Sequence, residues 1–417
     1  MSHAESQRHE AEGPRSVVAT IDRKGWKHVR LGSFEQHRNN TCPRSLTTVV
    51  GGETHNIHYG DILVRFGEIV SLKQHQVDTL TEEGEAHSPK DYLQDGDIVI
   101  ADTAEDETAG KVIEIQDVTD QKAVAGLHTI FLRPPTGLFV RGWLGYWMNS
   151  SAYHDQLLPY LTGIKVLSLS KSNLANTEVL YPSKDEQKRI VSVLSSIDTH
   201  IAALQSLIAK YEAIKKATVN LLLKPKKNWQ RVKLGEAFTF GNGYTPSKVV
   251  KEYWENGTIP WFRMEDIRTN GHILREAIQH ITPQAVKGTG LFPAGSFILS
   301  TTATLGEYAL LIADSLANQQ FTFLIENVNR ANQIDTMWFL QYLAVIGEWC
   351  RKTANAGGLL AVNMTDLYNY EVPIPSLPEQ KRIVAILDSI DDTISGLKSQ
   401  LAKTKDIKQG MMAHFFG

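Results

Sequence analysis

The chain has 417 residues, more than one core of about 250 residues accommodates, so two or more domains are expected. With 42% hydrophobic and 21% charged residues and a formal net charge of −3, the composition is globular; it excludes a collagen-like repeat and wholesale disorder, and any polyanion-binding footprint must be local. Two distant cysteines, Cys42 and Cys350, exclude a disulfide framework and fit a reducing cytoplasm.

Residues 1–22 read as a polar, disordered extension with no apolar signal-peptide core. No run reaches the ~18 uninterrupted apolar residues of a membrane helix; the most apolar region, Thr129 to Met148, carries Arg133 and Arg141. In the first globular region, residues 23–182, buried strands are predicted at Asp61–Phe66, Asp97–Ala101, Lys111–Ile115 and Thr129–Arg133, then a Trp- and Leu-rich helix near Leu138–Met148. A long helix follows over residues 183–223. Lys224-Pro225-Lys226-Lys227-Asn228 stops it and opens a second globular region, residues 224–375, with strands at Ser296–Thr301, Tyr308–Ile312 and Phe321–Ile325 and a helix at Thr336–Arg351. A second long helix fills residues 376–417. The fold class expected is α+β: two globular mixed α/β domains separated by two long helices.

The chain repeats itself. Glu186-Gln187-Lys188-Arg189-Ile190-Val191 recurs as Glu379-Gln380-Lys381-Arg382-Ile383-Val384 at an offset of 193, and Ser172-Asn173-Leu174, Pro182, Ile197-Asp198 and Leu204 face Thr365-Asp366-Leu367, Pro375, Ile390-Asp391 and Leu397. A second echo, W-x-x-V-[KR]-L-G, opens each half at Trp26 and Trp229, offset by 203. The frame is duplicated and the globular parts between diverge.

Ser183-x-x-Glu186 and Ser376-x-x-Glu379 have capping-box spacing, so each starts a helix. Apolar residues recur at steps of three and four: Ile190, Val193, Ile197, Leu204, Leu207, Tyr211, Ile214 and Leu221, then Ile383, Ile386, Ile390, Leu397, Ile407 and Met411. Leu194, Ile201, Ile208 and Leu222, and Leu387, Ile394 and Leu401, widen these stripes. At about 1.5 Å per residue, Asp185–Leu223 makes a rod of roughly 58 Å. Because the helices occupy equivalent places in two repeats, a pseudo-twofold arrangement pairs them as an antiparallel coiled coil.

The sequence offers no catalytic motif. Gly110-Lys111 lacks the rest of a P-loop, Gly241-x-Gly243 reads as a turn, no Asn-Pro-Pro-aromatic motif appears, and the two Glu-x-Lys triplets at Glu186 and Glu379 lack a preceding Pro-Asp. His55-x-x-His58 has no further ligand to complete a metal set and reads as a surface loop. His128, beside a strand, reads as a half-buried, satisfied histidine.

The order of variable region, helix, variable region, helix, with Glu-Gln-Lys-Arg-Ile-Val opening each long helix, resembles the specificity subunit of type I restriction-modification systems. Gly241–Ser247 (GNGYTPS), Tyr253–Asp266 (YWENGTIPWFRMED) and Leu316–Phe321 (LANQQF) look like segments of that subunit's target-recognition domains. The first region departs more, with Arg38-Asn39-Asn40-Thr41-Cys42-Pro43-Arg44 and Gly126-Leu127-His128-Thr129 in the corresponding places. The resemblance implies a non-catalytic, sequence-specific binder of double-stranded DNA. Each target-recognition domain would read half of a bipartite, asymmetric site, and two methylation subunits would dock along the helices. It also implies restriction and translocase subunits in the full complex, with S-adenosylmethionine, ATP and magnesium held on partners and no cofactor on this chain. A stand-alone architectural DNA binder that dimerises through the coiled coil is the alternative.

Base readout calls for Arg, Asn, Gln, Ser and Thr on loops. The candidates are Arg38, Asn39, Arg44, Lys73, His75 and His128 in the first domain, and Asn242, Tyr244, Thr245, Ser247, Arg263, Thr301, Thr302, Thr304, Asn318 and Gln319 in the second. Lys224, Lys226, Lys227 and Arg231 are candidates for phosphate. Ile190, Ile197, Leu204, Tyr211, Ile383, Ile390, Leu397 and Ile407 are assigned to the helix interface.

Overall fold

The computed structural model describes residues 23, 25–37, 39, 41–49, 51–82, 91–288, 290–327, 333–353 and 360–417. The extension assigned to residues 1–22, and Arg38, lie outside the described residues. The chain forms two compact units, one running through Gln205 and joined by Ser399–Gly417, the other Ser206–Lys398.

Both units are built on one plan. In the first, a five-stranded sheet runs in the order Glu35–His37, Thr129–Arg133, Ile98–Ala101, Val112–Gln116, Ile69–Ser71. In the second, the order is Phe238–Asn242, Phe321–Glu326, Phe297–Ser300, Tyr308–Leu311, Ile273–Leu274. Each sheet is antiparallel apart from its last pair, which is parallel. The central strands are buried throughout and apolar except for Ser300, as strands covered on both faces require.

The W-x-x-V-[KR]-L-G echo forms a strand in each unit, Lys27–Arg30 and Gln230–Lys233. Each pairs antiparallel with the strand that feeds a long helix, Glu178–Tyr181 and Glu371–Ile374, with Val29 opposite Val179 and Val232 opposite Val372. The chain therefore enters and leaves each unit through one two-stranded clasp.

Several expectations are corrected. Asp61–Phe66 is not a strand: Tyr59–Val64 is helical, N-capped by His58, whose Nδ1 accepts from the Gly60 amide. Nor is His55-x-x-His58 a surface loop, because Thr54–Ile57 is a largely buried strand and His58 is buried. Gly241 lies within the strand Phe238–Asn242 rather than making a turn. A Cβ there would meet the Phe292 ring, and one on Gly243 would meet the Ala317 and Asn318 carbonyls, so both glycines serve close approach.

The long helices span Lys184–Leu222 and Leu377–Phe416, 39 and 40 residues. They pair antiparallel. In the first unit Lys408 bridges to Asp198 (2.7 Å), and in the second Lys215 bridges to Asp391 (2.6 Å) and Lys398 to Glu212 (2.8 Å). Lys215 and Lys408, like Asp198 and Asp391, are 193 positions apart, so one ion pair occurs in both units with its partners exchanged. The expected seam holds at alternate positions and shifts by one at the others. Ile190, Leu204 and Ile383 are buried as assigned, and Ile197, Tyr211, Ile390 and Leu397 are half-buried, whereas Ile407 is exposed. Between them Leu194, Ile208, Leu387 and Ile394 are buried, while Val193, Leu207, Ile214 and Leu221 are exposed.

By length and composition the first long helix is apolar enough to cross a membrane. The apolar residues at its two ends complete cores. Ile190 and Leu194 join Trp143, Trp147 and Phe416 in the first unit; Leu223, just past its end, joins Trp338, Tyr342, Ile383 and Leu387 in the second. Phe416 and Leu223 are again 193 positions apart, so each helix begins against one core and ends in the other.

The repeated glutamine explains the repeated motif. Gln187, fully buried, accepts from the Val140 amide and donates to the Leu138 and Pro182 carbonyls. Gln380 makes the same three bonds with Asp335, Gln333 and Pro375. The glutamates before them diverge: the Glu186 amide donates to the Ser183 hydroxyl as the capping box predicts, while the Glu379 carboxylate is held by Lys226 and Trp229.

Candidate nucleic-acid interface

In the second unit the structure gathers the predicted loops. Gly243 donates to the Phe321 carbonyl and Tyr244 to that of Ala317, joining GNGYTPS to LANQQF. The Asn318 amide donates to the Phe262 carbonyl, bringing in the segment of Arg263, and the Thr301 amide donates to the Gln320 carbonyl, bringing in Thr301–Thr304. Four sequence-distant segments thus form one polar surface.

Within it the side chains divide. Asn242, Ser247, Thr304 and Gln319 are exposed, and Thr245, Thr302, Asn318 and Arg263 are partly so. Thr245 Oγ1 donates to Gln319 Oε1 at 2.5 Å, and Asn318 Oδ1 accepts from the Gln320 amide, so the tips are pre-oriented. Two candidates are structural instead. The Tyr244 hydroxyl donates to the Ala285 carbonyl and accepts from the Lys287 amide, and buried Thr301 shares a hydroxyl hydrogen bond with Thr322.

The first unit brings fewer candidates together. Asn39 donates to the Gly126 carbonyl, and Gly126 in turn donates to that of Ile57. Beside them the His128 ring meets Tyr59 edge-on and faces Asp102 at 3.5 Å, with over half its side chain exposed. Arg44 donates to Asp61, which also binds Arg65. Burial raises the Asp102 carboxyl above its ordinary value, and burial outweighs nearby Asp61 in lowering the His58 imidazole. Tyr59 and Asp102, absent from the sequence-based assignment, complete this cluster; no motif flags them. His75 is committed to its own turn, its Nδ1 3.1 Å from both the amide and the carbonyl of Ser71, while Lys73 on that turn is exposed.

The basic linker is partly occupied: Lys226 pairs with Glu379 and Arg231 with Glu371. Among the described residues no group of three or more His, Cys, Asp or Glu side chains is arranged to hold a metal ion.

The fold defines a tandem α+β protein: two like-built units, each with a polar loop surface, threaded by one antiparallel helix pair. Residues 23–213 and 226–404 match the family described as type I restriction modification DNA specificity domain, and the chain belongs to that family. It is similar to the EcoprrI type I restriction enzyme specificity subunit of Escherichia coli, with 44% identity over 162 residues, 37% of this chain. It spans 40% of that relative's length. In fold it resembles a chain solved in work on complex assembly and conformational transition of the type I R-M system, at TM-score 0.61 and 20% identity, covering 94% of this chain and 98% of that one. It also resembles the type I restriction-modification S subunit of M. genitalium, at TM-score 0.53 and 14% identity over 96% and 98% of the two chains.

Proposed function

We propose that this chain is the non-catalytic DNA-specificity subunit of a type I restriction-modification complex. Each unit reads one half of a bipartite, asymmetric duplex site, and the paired helices set the unspecified gap and carry two methylation subunits. S-adenosylmethionine, ATP and magnesium belong to the partners, including restriction subunits where these are present. The carrying observation is the contrast between a repeated frame and divergent loops: clasp, glutamine lock and ion pair recur at fixed offsets, whereas the loop segments differ at most positions, as in Arg38–Arg44 against Gly241–Ser247, where only Asn39/Asn242 and Pro43/Pro246 agree. A shared frame serves shared partners, and different loops serve different base sequences.

The test is to co-express the chain with a methylation subunit and map modified adenines in the host genome. A two-part motif with a fixed gap supports the reading. The alternative, a stand-alone DNA-binding protein dimerising through its helices, predicts a dimer that retains DNA but recruits no methylation subunit and leaves no modified adenine.

A further inference from the structure

Arg263 follows the strand Ile259–Phe262 and opens the short helix Met264–Asn270. Its backbone is immobilised, because its amide donates at 2.6 Å to the fully buried Asp266 carboxylate, whose other oxygen accepts from the Ile278 amide at 2.7 Å. The strand before it is tied to both recognition loops. Trp261 Nε1 donates to the Tyr244 carbonyl, and the Phe262 carbonyl accepts from Asn318. The side chain is held differently. Its Nη2 donates to Glu265 at 2.9 Å, its guanidinium lies 6.0 Å from the Trp261 ring centroid, and its buried Nε has no partner. Glu265 is 61% exposed, against 26% for Arg263.

We propose that Glu265 is a specificity-determining residue that acts as an internal competitor for the Arg263 guanidinium. This deepens, and rests on, the DNA-specificity reading. In the free chain the carboxylate occupies the fork that would otherwise meet a guanine edge or a backbone phosphate, both of which are acceptors of the same kind. A duplex must outbid Glu265 to claim the fork. Release is easy because the pair is partly exposed, and the unpartnered Nε gives the side chain a further donor to satisfy when it moves. Duplexes without a well-placed acceptor leave the pair closed, and the carboxylate then repels their phosphates.

The experiment compares the full-length wild type, Glu265→Gln, Arg263→Met and the double variant at low salt. Each is bound to a random-sequence duplex pool and to the sequences that the wild type enriches from that pool. Glu265→Gln is expected to tighten binding about two- to fivefold, the range released by an exposed ion pair, and to do nothing once Arg263 is methionine. Unchanged affinity in the single variant, or equal tightening in the Arg263→Met background, overturns the proposal, since the latter is only loss of negative charge. A gain on both pools supports the competitor and puts the displaced contact at phosphate; a gain confined to the enriched pool supports it and puts that contact at a base edge. If the wild type enriches no sequence at all, the DNA-specificity reading fails instead, whatever the variants do.

Discussion

Glu114 is a fully buried carboxyl whose oxygens accept from the Gly142 and Gly145 amides at the start of the helix Trp143–Trp147. Burial pushes its pKa up to about 7, against those hydrogen bonds. A raised folded-state value means that the folded chain holds a proton the unfolded chain has already lost. The stability this contributes is fully present below about pH 4.5 and is lost as pH rises through about 7, up to about 3 kcal/mol in all. Glu114→Gln should therefore flatten the pH dependence of melting between pH 5 and 8; an unchanged slope by calorimetry would show that Glu114 ionises normally. The sequence hid this group because a polar residue in an apolar strand does not announce its partners, and it hid the burial of Gln187 and Gln380 because both stand among charged residues. The loops that carry Asn242, Thr245, Arg263, Asn318 and Gln319 were legible as loops from their glycine and amide patterns, and the structure brings them together. No sequence feature signalled that the Tyr244 and Thr301 hydroxyls are engaged within the unit, with Ala285 and Lys287 and with Thr322.

Among elements, the long helices were the most readable and their contact face the least. Their apolar arc is wide enough that Ile190–Val193–Ile197 and Ile190–Leu194–Ile197 fit steps of three and four equally well, and period alone cannot choose. The choice is made by charges inside the seam, Asp198 with Lys408 and Asp391 with Lys215, which look like solvent-facing residues in the sequence. The two pairs should differ in weight. Lys408 is 15% exposed and shared by Asp198 and Glu68; burial lowers its ammonium, but the two carboxylates outweigh this and hold it above its ordinary value. Lys215, with a single carboxylate, is about a third exposed. Lys408→Met strands two carboxylates and is expected to cost about 3 kcal/mol, whereas Lys215→Met should cost about 1 kcal/mol or less. Denaturant titration of both variants checks the order, and equal losses would contradict it. The first domain's helix Tyr59–Val64 was misread as a strand because Ile62-Leu63-Val64 is β-prone, while the His58 cap and tertiary packing decide otherwise.

For the whole molecule, duplication was the strongest signal, and it predicted the antiparallel helix pairing; the shared clasp and sheet order appear only in the structure. The loops were less legible because divergence removed the internal comparison there. A formal charge of −3 gives no net cationic excess for phosphate, and Lys226 and Arg231 are already paired. The isolated chain should therefore bind its target weakly, with methylation subunits adding phosphate contacts and a steeper salt dependence. Salt-titrated binding of the chain against the assembled methyltransferase tests this, and equal affinity at equal salt would refute it. In the proposed function the continuous long helices, Lys184–Leu222 and Leu377–Phe416, set the gap between the two half-sites. Inserting one heptad into each long helix adds about 10 Å, roughly three base pairs at ~3.4 Å each. Mapping modified adenines in cells carrying the lengthened chain should return both half-sites unchanged with a longer gap; the same half-sites at the original gap would contradict the account.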